Sequence, residues 1–139
     1  MGLGPRGDPR AGDSLGGYSL PKFMDEAAKR SYAASAYYFP NSGRSNLTVL
    51  TGAMGKKIAF DTNTSPVMAT GVWCSIDGND HFVGAMREVI LSAGTVQSPQ
   101  ILELSGIGNK RLLENFGIDV IVENPAVGEN LQVSCAYEC

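Results

Sequence analysis

The residues best suited to chemistry lie at one corner of the chain. Ser92, Ala93 and Gly94 end the apolar run Val89-Ile90-Leu91 with almost no side chain. A strand end of this kind lets a ligand pack against the main chain and bond to its N–H groups. Ser98, followed by Pro99, reads as the cap and first turn of a helix, and Gly106 and Gly108 announce a second turn beyond it. Buried strand, glycine exit, capped helix and glycine turn together describe a strand-to-helix corner that handles a phosphate or a nucleotide. Tight packing of the helix on the strand would call for the same small residues.

Other reactive groups are sparse. The only histidine, His81, stands two residues past a turn and reads as solvated. Cys74, Cys135 and Cys139 are odd in number and lack metal-ligand spacing, so neither a disulfide framework nor a metal site is expected. Residues 2–7 spell G-x-G-x-x-G, but no strand can precede residue 2, and Pro5 and Arg6 stand where the turn should enter a helix. The match is accidental.

The elements that must position the corner follow from periodicity and turn chemistry. Residues 1–16 are poor in apolar surface and read as an irregular lead-in. Residues 26–38 contain strong helix formers and small residues ahead of Pro40, which predicts an alanine-faced helix. Residues 47–51 and 57–61 are β-rich. Residues 69–75 and 81–87 flank Asp77-Gly78-Asn79, a strong hairpin signal, so a small antiparallel meander is expected. Residues 88–92 predict a strand buried on both faces of a central sheet. A second helix is expected from Asn109 to Phe116, stopped by Gly117, and a last strand over 118–122.

Composition excludes several classes of function. With 139 residues the chain has the size of one domain, and a net charge of -3 gives no basic footprint for nucleic acid. No apolar run approaches the roughly 18 residues that span a membrane, and the opening residues lack the apolar core of a signal peptide. The sequons Asn46-Leu47-Thr48 and Asn63-Thr64-Ser65 are compatible with secretion, and the compartment is otherwise open.

Residues 94–108 resemble the second signature of the glucose-methanol-choline (GMC) family of FAD-dependent alcohol oxidases and dehydrogenases at every fixed position. Residues 46–58 are similar to the family's N-L-T-V-L-T-G-A-x-V-x-K-I, with Gly55 where valine is usual. Residues 30–37 resemble its R-S-x-A-x-x-A-Y helix, an ordinary packing helix by its residues alone, and residues 128–132 its G-x-N-L-Q. The style of residues 16–21 and 35–40 looks most like fungal aryl-alcohol or glucose oxidase relatives. The resemblance implies an α/β fold: a partial FAD-binding, Rossmann-like domain over 17–132 with an antiparallel meander, lacking its N-terminal dinucleotide-binding unit. It also implies FAD as cofactor, contacted by Gly55, Ser92, Ala93 and Gly94, and a small-molecule alcohol as substrate of the complete enzyme. The implied reaction is hydride transfer from the alcohol to the flavin.

No catalytic residue is expected within the chain. The family keeps its catalytic histidine in a carboxyl-terminal region absent here, and its dinucleotide fingerprint near an amino terminus that does not match. After Gln132 the family continues as Asp-His, whereas this chain reads Val133-Ser134-Cys135. Such a break suits a misread exon boundary or a frame break, which makes 133–139 a divergent tail. The chain is thus expected to be an internal fragment of an FAD-dependent enzyme, inactive alone. The rival expectation is a truncated, non-catalytic product that binds no cofactor and at most self-associates through open sheet edges.

Overall fold

The computed structural model describes residues 23–132. The glycine match at 2–7, the lead-in, the motif at 16–21, Cys135, Cys139 and the tail lie outside the described residues. The chain divides into two units, Met1–Val49 and Leu50–Cys139.

In the first unit, the expected long helix is replaced by a tight loop and a short irregular helix. Asp25 Oδ1 accepts from the backbone N–H groups of Ala27 (3.0 Å) and Lys29 (2.9 Å), and Ala28 turns left-handed at φ +59. A carboxylate that captures nearby amides diverts them from the helical ladder, so the helix does not start at Glu26. It survives as a π-helical turn, Ala34–Tyr38, and a 3-10 turn, Phe39–Asn41, with Pro40 inside the second.

The second unit carries an antiparallel meander of β1 (Ala53–Asp61), β2 (Met68–Ile76) and β3 (Asn79–Gly84). Asp77 and Gly78 join β2 to β3 with φ of +50 and +81, a pair of left-handed residues that gives a two-residue hairpin the twist of its strands. Trp73 faces Phe82 across this hairpin, their ring centroids 5.2 Å apart. The register of β1 against β2 shifts between Gly55 and Lys57, a bulge that bends the edge strand.

The helix α1 (Gly94–Leu104) leads through a glycine turn into β4 (Ile107–Gly108) and α2 (Lys110–Asn115), and β5 (Val122–Glu123) pairs parallel with β4. Gly106 is required at that turn. Its φ is +85, and a Cβ there would meet the Asp119 carbonyl at 2.5 Å. Asn109 caps α2, its side chain accepting from Leu112 N at 3.3 Å. Beyond the other end, Gly117 N donates to Glu114 O and Ile118 N to Leu113 O, the paired bonds that close a helix over a glycine.

The core is small. Among the described residues the buried apolar side chains are Ile58, Cys74 and Leu113, joined by buried Ser105. Ser105 Oγ accepts from Ile58 N at 2.8 Å and donates to Ile101 O, tying the end of α1 to β1.

Several expected strands differ. Residues 88–92 form no strand, and Ile90 is 78% exposed. A strand needs a neighbour for its ladder, and no described segment pairs with this one. Residues 47–51 are likewise unpaired. The last strand contracts to Val122–Glu123, where β4 offers a partner, while β1 begins at Ala53, ahead of the expected Lys57.

Candidate functional site

Where β1 approaches α1 the second unit opens into a groove of about 1090 Å³. One wall is the start of β1, from Gly52 through the bulge to Lys57. The other is one face of α1, formed by Gln97, Gln100, Ile101 and Leu104. That spacing, near three and four residues, places these side chains on a single helical stripe. Ala93 closes one margin, and Trp73 and Asp80 contribute from β2 and β3.

The groove brings together two of the four residues expected to meet a cofactor. Gly55 and Ala93 line it, whereas Ser92 and Gly94 are exposed neighbours of Ala93 outside its lining. A Cβ at Gly55 would lie 3.9 Å from Ile101 Cδ1, so the bare strand leaves room for one more apolar group. Gly94 opens α1 with φ +91, and a Cβ there would face open space within 4 Å. Glycine is therefore demanded at 94 by the backbone turn, and the described residues do not crowd it.

The helix begins earlier than its composition suggests. Ala93 is the N-cap, and Ser98 and Pro99 lie inside α1. Ser98 Oγ instead reaches back to accept from Ala93 N at 3.1 Å. The serine thus fixes the glycine corner from within the helix and takes up the Ala93 N–H.

Lys56 and Asp80 form an ion pair at the groove, with Lys56 Nζ 2.8 and 2.9 Å from the two carboxylate oxygens. Both side chains are about half exposed, and such a pair contributes up to about 1 kcal/mol. Its clearer effect is positional, since it joins the bulge of β1 to the start of β3. Lys56, Asp80, Trp73, Gln97 and Gln100 escaped the sequence reading. The helical spacing of Gln97, Gln100 and Leu104 was the one available signal, and the strand contributions depend on cross-strand register.

His81 lies on β3 opposite Cys74, exposed and outside the groove. Among the described residues there is no cluster of three His, Cys, Asp or Glu side chains placed to hold a metal ion, and no helix long and apolar enough to cross a membrane.

The sequence matches the GMC oxidoreductase family profile over residues 6–136. It is 47% identical over 128 residues to the GMC oxidoreductase family protein Mala s 12 of Malassezia sympodialis, covering 90% of this chain and 21% of that protein. It is 43% identical over 133 residues to a glucose oxidase of Aspergillus carbonarius, covering 95% of this chain and 22% of that one. The chain therefore spans about a fifth of the length of these relatives. Among solved structures, an FAD-dependent oxidoreductase from Chaetomium thermophilum superposes with a TM-score of 0.79 at 35% identity, over 89% of this chain and 21% of that chain. A formate oxidase superposes with a TM-score of 0.54 at 34% identity, over 58% and 14% respectively. The mixed architecture with its antiparallel meander is thus that of an FAD-binding GMC enzyme over part of its length, and the chain belongs to the GMC oxidoreductase family.

Proposed function

We propose that this chain forms part of the FAD-binding domain of an oxidoreductase that acts on the CH-OH group of a small alcohol. The observation that carries the reading is the groove between β1 and α1, where the bare backbone of Gly55 faces the Ile101 side chain and Ala93 closes the margin. FAD is the cofactor supported by the family and by the FAD-dependent structural neighbour.

The residues present suit such a ligand. Gly52 and Ala53 keep one wall low, so a flat ring system can lie close to main chain, while Gly55 leaves room beside Ile101 for one more apolar group. Ile101 and Leu104 supply apolar cover, and the Gln97 and Gln100 amides can both donate and accept hydrogen bonds. Gly55 and Ala93 would contact the cofactor from within the groove, and Ser92 and Gly94 from the strand exit beside it. When bound, the flavin supplies the hydride acceptor for alcohol oxidation.

The one carboxylate lining the groove, Asp80, is held by Lys56. A base must reach the substrate hydroxyl, and His81 lies outside the groove. The chain alone is accordingly expected to bind flavin without turning over an alcohol. The test is titration of the 139-residue chain with FAD while emission of Trp73, its only tryptophan and a groove residue, is recorded. Saturable quenching with retained yellow colour supports the reading. Flat emission and colourless protein would reject it in favour of a non-catalytic product without cofactor. Alcohol-dependent flavin reduction by the chain alone would overturn the expected inactivity.

A further inference from the structure

Besides the apolar packing of α1 on β1, a hydrogen bond joins the two walls of the groove at their closed end. Among the described residues, the Ile58 N–H to Ser105 Oγ bond of 2.8 Å is the one side-chain hydrogen bond joining the end of α1 to β1. Ile58 follows Lys57 directly and Ser105 follows Leu104, the last groove residue of each wall. The bond therefore stands where the two walls meet.

Its chemistry is committed. Ser105 is 4% exposed and Ile58 8%. The serine hydroxyl donates to Ile101 O and accepts from Ile58 N, while its own backbone N–H donates to Ile101 O and Leu102 O. Donation to the helix fixes the hydroxyl proton and directs a lone pair at the strand. Its one proton is committed to the helix, and Ser105 is not among the groove-lining residues. Its effect must be exerted through the elements it joins, and those elements carry the groove. Ile101, whose carbonyl receives the serine proton, also presents its Cδ1 toward Gly55.

We infer that Ser105 is a positioning residue for the cofactor groove, holding β1 against α1 at the separation that a flavin nucleotide needs. The inference rests on the cofactor reading given above. Without the hydroxyl, the buried Ile58 N–H must find water or remain unpaired, and admitting water there draws β1 away from the helix. The groove then widens on the Gly55 side and its contacts with the ligand loosen together.

The test measures FAD affinity by Trp73 quenching on the parent chain and its variants, at a temperature where circular dichroism shows each to be folded. Ser105→Ala is expected to raise the FAD dissociation constant tenfold or more, and hydrogen exchange at the Ile58 amide should accelerate. Ser105→Thr, which keeps the oxygen, should stay within threefold of the parent. Ser105→Val, of nearly the same volume without the oxygen, should behave as Ser105→Ala. Leu113→Ala, which truncates a core side chain outside the groove, should lower stability with little change in affinity. Should Ser105→Ala fail to fold, the Thr and Val variants decide, and equal affinity in the two overturns the inference. Unchanged affinity in Ser105→Ala, or an equal loss in Leu113→Ala, overturns it as well. A parent chain that does not bind FAD overturns the cofactor reading and this inference with it, whereas normal parental binding beside an unaffected Ser105→Ala sinks this inference alone.

Discussion

Replacing Gly55 with valine tests whether the groove wall is as open as its geometry indicates. Gly55 sits in β1 opposite Cys74, at the edge of the bulge, and its backbone lies outside the left-handed region. A Cβ built there has Ile101 Cδ1 as its nearest neighbour at 3.9 Å, an ordinary van der Waals contact. Neither the backbone conformation nor the Cβ opposes the change. A glycine within a strand is destabilising by roughly 0.5–1 kcal/mol relative to alanine, so Gly55→Val should raise stability by about that amount. One methyl group newly buried against a bound ligand contributes about 0.8 kcal/mol, or roughly a fourfold gain in affinity at RT near 0.59 kcal/mol. Urea denaturation reads the first quantity, and FAD titration followed by Trp73 emission reads the second. The expected result is a higher unfolding midpoint with a dissociation constant severalfold lower. A loss of affinity beyond tenfold would show that a ligand needs the space above Gly55, and a lowered midpoint would show that the bulge cannot take a side chain. Either result refutes the reasoning.

Leu113 is 1% exposed and Ile90 78%, so Leu113→Ala should cost about 2–5 kcal/mol while Ile90→Ala should change stability by no more than about 0.5 kcal/mol. Denaturant unfolding of the two variants side by side checks this, and the reverse order would place the core elsewhere. Gly94→Ala puts a side chain at φ +91, a strain of about 1–3 kcal/mol at the start of α1, and should lower the melting temperature and flavin retention together. Because His81 lies outside the groove, His81→Ala should leave flavin content at the parental level; loss of bound flavin would give that residue a role in the site.

What the sequence determined was the local chemistry. Asp77-Gly78 makes its hairpin because both residues accept positive φ, Asn109 caps α2 because its side chain is an acceptor at the right spacing, and Gly117 stops that helix. Each of these depends on a few neighbouring residues and none on a distant partner. The resemblance of residues 94–108 to the family's second signature likewise pointed to the family that the match over residues 6–136 shows. Where a residue had to choose between partners, the sequence was silent. Ser98 looked like a cap for the following helix, yet it serves the preceding Ala93 amide because the helix starts at Gly94. Asp25 diverted an otherwise convincing helix into a loop.

The tertiary structure decided which segments outside the meander paired and what the groove contains. Residues 88–92 have the composition of a buried strand, but composition supplies no ladder, and among the described residues no strand pairs with the segment and Ile90 is exposed. The groove joins Gly55, Ala93, Trp73 and Asp80 through the register of β1, β2 and β3 and the packing of α1. Its closing bond spans 47 residues, from Ile58 to Ser105. Nothing about an isoleucine amide or a serine hydroxyl marks them as partners along the chain. They meet because helix and strand bury their apolar faces together, leaving one buried donor and one buried acceptor with each other to satisfy.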